Sequence, residues 1–202
     1  KWRCPGFAIN IGIKHCLGNL ILFQQPEICY LTHNCINDMV KAIENNTKNI
    51  VFPTGKNDTG SQLKLLDSGS PLSALEFIGT TLDTALPFCM MMHKSVIVDI
   101  GGYDEDLIGY CHDDIDIVGR LAKSGCSFNV MDQHKIIHLH HSRTAQSRIG
   151  LSDRNENWQY NKKICDDRKD TIIRNQGKEW GIIPGVNIPP LQSYYEKFNI
   201  RI

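Results

Sequence analysis

Between Tyr110 and Asp116 the chain places a histidine and three carboxylates within seven residues: His112, Asp113, Asp114 and Asp116. Adjacent carboxylates push their proton affinities apart, so that one can stay ionised while the other takes up a proton, which is the requirement for general acid–base work. At a helix start the same residues would also cap the helix and answer its dipole. A second set of titratable residues follows in His134, His138, His140 and His141. If these lie on a strand, alternation puts His138 and His140 on one face and His141 on the other, and spacing alone makes His138 with His140 the natural metal pair. A single carboxylate, Glu27, closes the run Gln24, Gln25, Pro26 behind an apolar stretch.

The elements that must hold these residues can be read from periodicity. Phe7, Ile9, Ile11 and Ile13 alternate, yet Ala8 and the spacing of Gly12 and Gly18 also allow a short helix, so strand and helix both stay open. Leu20, Ile21, Leu22 and Phe23 read as a strand buried on both faces and stopped by Pro26, which puts Glu27 at its carboxyl end, where open α/β sheets bind ligands. Residues 37–44 read as an amphipathic helix with Met39, Val40 and Ile43 inward, and residues 49–53 as a short strand. Residues 54–70 are rich in Gly, Ser, Asp and Thr and read as a loop, a candidate lid near an acceptor. An apolar run at 88–92 precedes a short helix at 94–100 closed by Gly101 and Gly102. Ile117, Val118 and Leu121 define the inward face of a helix over 115–123 that ends at Gly125. Residues 127–131 and 135–141 read as two strands around a turn at 132–134, and residues 157–175 as a helix ahead of a Pro-rich stretch at 184–190.

Composition narrows the function classes. The 202 residues are 41% hydrophobic, enough for a packed core, and 22 basic side chains balance 22 acidic ones. No global field therefore draws the chain to nucleic acid or to an anionic membrane. The eight cysteines contain no Cys-x-x-Cys pair and are expected to be reduced. Asn45 and Asn57 open glycosylation triplets, a pattern common by chance, and no apolar run approaches the roughly 20 residues of a membrane span. No secretory signal opens the chain, and its start at Lys1 is expected to mark a piece of a longer polypeptide. The expected location is cytoplasmic or membrane-peripheral, with a secretory lumen left open.

Several motifs stand in order: Gly101-Gly102-Tyr103-Asp104-Glu105, Gly109-Tyr110, Asp113-Asp114-Ile115-Asp116, Arg120-Leu121 and His141-Ser142-Arg143. Together they resemble the carboxyl-terminal catalytic segment of GT-A fold glycosyltransferases, both the family-2 enzymes and the β-1,4-galactosyltransferase type. Asn10, Gly12 and Ile13 ahead of Gly18 and the apolar run are similar to the family-2 stretch that leads into a metal-binding Asp-x-Asp. The family's Glu-Asp pair is here Asp113-Asp114, and its Asp-x-Asp is Gln24-Gln25-Pro26-Glu27.

The resemblance implies an α/β, Rossmann-like GT-A fold: a mixed, mostly parallel sheet flanked by helices, without the amino-terminal nucleotide-binding strands. It implies a catalytic domain over residues 1–183 and a tail or linker over 184–202. The implied reaction is inverting, metal-dependent transfer from a nucleotide-sugar donor to a hydroxyl of a glycan or protein. Asp114 would be the base and Asp113 would position the acceptor. Glu27 and His141 would hold Mn²⁺ or Mg²⁺, Asn10 and Arg143 would meet the donor, and Tyr110, Gly109 and Gly102 the acceptor. Trp2, Trp158 and Trp180 are further surfaces on which sugar rings could stack. Two other function classes fit parts of the pattern: a metal-dependent hydrolase built on His138 and His140, and an inactive sugar-binding relative that has lost its Asp-x-Asp. Glycoside hydrolysis fits less well, because adjacent aspartates do not flank a substrate from opposite sides.

Overall fold

The computed structural model describes residues 4–83, 86–109, 111–141 and 151–186, the first three residues of the last segment by backbone alone. The expected roles of Tyr110 and Arg143, and of the tail beyond residue 186, lie outside the described residues. Among the described residues six α-helices and six strands follow in order: α1 (Pro5–His15), β1 (Leu20–Gln24), β2 (Ile28–Tyr30), α2 (Cys35–Ile43), β3 (Asn49–Asn57), α3 (Ser61–Asp67), β4 (Thr80–Leu82), β5 (Cys89–His93), α4 (Lys94–Asp99), α5 (Asp113–Lys123), β6 (Ser127–His138) and α6 (Leu151–Asp167). The chain folds as two compact units that interleave in sequence: Lys1–Ile21, Lys94–Ser124 and Ser152–Ile202 form a helical unit, and Leu22–His93 and Gly125–Leu151 a sheet unit.

The sheet runs β1-β5-β3-β6-β2, with β4 also paired to β3. It is mixed, as expected, and its longest ladder, β3–β6, is parallel. Of the four pairings with defined register only β3–β6 is parallel, while β2–β6, β3–β4 and β3–β5 are antiparallel. The parallel pair β3 and β6 is joined by a long crossover through several elements, as parallel neighbours require. As the central strand, β3 buries Ile50, Val51 and Phe52 on both faces. On α2, Cys35, Met39 and Ile43 recur every fourth residue as one buried stripe that packs against β3 and β5. Ile28, Leu82, Cys89 and Ile136 close the other part of this core.

One open reading is settled and several expectations change, among them the helix expected over 157–175, which runs instead over Leu151–Asp167. The ambiguous first segment is helix α1, with Pro5 at its first turn, where the missing N–H is not needed. The run Leu20–Gln24 is a half-buried edge strand rather than one buried on both faces. The expected loop over 54–70 is mostly regular structure: β3 continues to Asn57, and α3 follows. Polar residues there are carried by the ladders to β4 and β6, and Asp58 fixes the start of α3 by accepting from the N–H groups of Gly60, Gln62 and Leu63. Lastly, the two strands expected around 132–134 are one strand. Its register on β3 jumps from Pro53 opposite Met131 to Thr54 opposite Lys135, so three residues bulge out of the ladder. The bulge turns His134 inward, where its Nε2 lies 3.1 Å from Asp38 Oδ2 on α2.

Candidate active site

The acidic pair opens α5, and the chain reaches it through a strained approach. Cys111 and His112 both sit in the left-handed region, at φ 78° and 74°, each at a cost of order 1–3 kcal/mol for a residue with a side chain. Helix α6 holds that approach in place. Asn161, fully buried, donates from Nδ2 to the carbonyls of Ile108 and Cys111 and accepts the N–H of Ile108. Gly109 turns at φ 61° against Asn157, whose Nδ2 would lie 2.4 Å from any Cβ there. The His112 ring rests on Trp158, with ring centroids 5.3 Å apart. Sequence reasoning missed Asn157 and Asn161. An asparagine on a polar helix carries no signal of its own until its loop partner is known.

Asp113 points back into the helical unit and is buried. It accepts from the Gly6 N–H at the start of α1, at 3.4 Å, and lies beside the Cys4 thiol. Those donors and the helix start favour the anion, but burial is the larger effect and raises its pKa above the ordinary carboxylate range. Asp114 is half-buried and takes no hydrogen bond from the described residues. Burial first, and the neighbouring Asp113 charge second, push its pKa up to about 7. A carboxyl group poised there is matched to taking a proton near neutral pH. The Tyr103 hydroxyl, pushed well above its ordinary value by burial and by both aspartates, stays a phenol.

The remaining members of the motif serve the scaffold. Asn10 is fully buried, and its amide is spent: Nδ2 donates to Tyr103 O and Glu105 Oε1, and Oδ1 accepts the Tyr103 N–H. No part of it is left for a donor nucleotide, and its work is to clamp the Gly101-Gly102-Tyr103 turn. Gly102, expected at the acceptor, is buried at φ 68°, and a Cβ on it would stand 2.5 Å from Asn10 Oδ1 and 2.8 Å from Trp180. Gly109 is partly exposed on the approach to the acidic pair. Asp116 belongs to a buried ion network: it bonds Arg120 and Arg174 at 2.8 Å each, Arg174 Nε reaches Asp104 at 2.9 Å, and Arg168 adds Asp104 and Asp106. Arg120 also donates to the carbonyls of Ile100 and Gly102, tying α5 to the glycine turn.

Glu27 and His141 both lie in the sheet unit. The β2–β6 pairing sets Ile28 opposite His138, and the Leu139 N–H donates to Glu27 O at 2.9 Å, so Glu27 runs beside the chain two residues ahead of His141. The face assignment made from alternation fails, because β6 ends at His138. Beyond that point His138 and His141 approach each other, with centroids 5.3 Å apart, and the His140 N–H turns to Asp58 Oδ2. No group of three or more His, Cys, Asp or Glu side chains among the described residues could hold a metal. Glu27 and His141, the two residues expected to hold a cation, thus lie on neighbouring stretches of the sheet unit.

Fold and site thus define an α/β chain with an acidic pair at a helix start, Asp113 buried and Asp114 partly buried. The chain belongs to the glycosyltransferase-like family 2, whose family model matches residues 3–147. None of the curated proteins matches it. Among solved structures it is similar to a crystal structure of GalNAc-T7 with UDP, GalNAc and Mn²⁺, at 12% identity and a TM-score of 0.47. The match covers 95% of this chain but 34% of that one, so the chain spans about a third of that protein's length. Among the described residues no helix is long and apolar enough to cross a membrane.

Proposed function

We propose that this chain carries the acceptor-activating part of an inverting glycosyltransferase in which Asp114 is the general base. The observation behind this is the placement of Asp114, partly buried beside the buried Asp113 at the start of α5, where burial pushes its pKa up to about 7. In the ionised form Asp114 takes the proton of an acceptor hydroxyl as that oxygen attacks the anomeric carbon of a nucleotide sugar. The glycosidic bond forms as the bond to the diphosphate breaks, and single displacement inverts the configuration. Asp113 keeps Asp114 from ionising too early and, through Gly6, fixes the pair on α1. Glu27 and His141 would hold Mn²⁺ or Mg²⁺, which when bound supplies Lewis-acid neutralisation of the departing diphosphate. The acceptor would be a glycan or glycoprotein hydroxyl.

The test is transfer from a nucleotide sugar in the presence of Mn²⁺, comparing wild type with Asp114→Asn and reading the anomeric configuration of the product by NMR. The expected result is an inverted product and at least a hundredfold loss of turnover in the variant, with donor binding kept. A retained configuration, or turnover unchanged by the substitution, would overturn the assignment.

A further inference from the structure

Away from the acidic pair, the helical unit contains a cavity of about 550 Å³ at the carboxyl end of α1. That volume is within the range of small-ligand sites. Trp180 forms its wall, only 9% exposed and held rigidly: the Gly181 N–H donates to Glu105 Oε1 at 2.6 Å, the same oxygen that accepts from Asn10. Gly181, at φ 69°, presses so closely on α1 that a Cβ would stand 2.7 Å from Asn10 O. The wall is therefore built before any ligand arrives. Over the indole face lies the Lys14 ammonium, 4.0 Å from the ring centroid, with no carboxylate partner among the described residues. His15 and Lys178 add basic groups to the lining, Lys178 being shared with Asp106 and Glu179 being the one acidic side chain. Ile182 and Val186 leave apolar surface open at the rim, 44% and 52% exposed.

An apolar rim beside an ammonium with no carboxylate partner among the described residues recognises a ring with C–H faces and a negative charge. We infer that this cavity is a subsite for an anionic saccharide, a sugar bearing a carboxylate or phosphate that lays its C–H face on Ile182 and Val186 and pairs with Lys14. The inference rests on the glycosyl-transfer reading only for the choice of a saccharide. Lys14 is eight residues beyond Gly6, which bonds Asp113, a separation of roughly 12 Å along the axis of α1. A ligand here leaves the acidic pair free, as a distal unit of an acceptor chain would.

Calorimetric titration of the chain with three probes tests it: a disaccharide ending in glucuronate, its neutral glucose counterpart, and inorganic phosphate. Wild type is expected to bind the acidic disaccharide roughly tenfold more tightly than the neutral one, with phosphate alone failing to compete. Lys14→Ala, at an exposed position, should abolish that preference, and Val186→Asp should weaken the acidic ligand by repulsion. Asp114→Asn should bind as wild type does, even where it has lost turnover, which separates failure of the subsite from failure of the transferase assignment. No binding by wild type, equal affinity for both disaccharides, an unaffected Lys14→Ala variant, competition by phosphate alone, or loss of binding in Asp114→Asn would each overturn the subsite.

Discussion

At the scale of the residue, one carboxyl group sets both activity and pH response. Asp114 titrates near 7 in the folded chain against an ordinary value of 3.8. Below 3.8 both folded and unfolded states hold the proton; as pH rises toward 7 only the unfolded state releases it, so Asp114 lowers stability across that window. The Asp114→Asn variant should therefore melt at the wild-type temperature near pH 4 and about 3 °C or more above it at pH 8, as followed by circular dichroism. An offset independent of pH would show that Asp114 is not raised. Turnover should rise with pH to a midpoint near 7. Asp113→Asn should move that midpoint downward, because it removes a like charge, but not to the ordinary carboxylate range, because burial is the larger cause. A pH–rate profile of the two proteins decides this.

At the scale of the element, the glycine turn after α4 is a clamp rather than a binding loop. Asn10 of α1 and Arg120 of α5 hold the turn through its backbone, and Gly102 permits the contact. Asn10→Ala should lose about 2 kcal/mol in urea denaturation, since the buried Tyr103 N–H would be left unpaired while its carbonyl keeps only Asn175. A residue that served the donor would weaken nucleotide binding with stability unchanged. Gly102→Ala should lose about 2 kcal/mol or more, through a left-handed backbone and a Cβ with nowhere to go.

At the scale of the whole molecule, the two units are held by different means. The sheet unit rests on an apolar core around β3, while the helical unit carries a buried network of Asp104, Asp116, Arg120 and Arg174. Arg174→Leu strands two buried carboxylates on their remaining partners and should destabilise by about 3 kcal/mol, measured by urea denaturation. All eight cysteines are free, with burial pushing the Cys35 thiol up to about 12 and Cys4 higher. The melting temperature should accordingly be the same with and without reductant.

Much of this was legible in the chain itself. The α2 stripe, the α5 stripe and the order of acidic pair, arginine and histidine follow from local periodicity and spacing, which neighbours in sequence determine alone. The family was legible for the same reason, as an ordered set of motifs. What only the tertiary structure decided were features that need a partner distant in sequence. The polar end of β3 is a strand because β4 and β6 supply its ladder, and Asp132 to His134 bulge because β3 has no place for them. Asn10 and Gly102 turned from ligand contacts into packing because each is satisfied by the other's turn, some 90 residues away. The proton affinity of Asp114 likewise comes from burial, and burial is a property of the packed chain rather than of the Asp113-Asp114 pair that announces it.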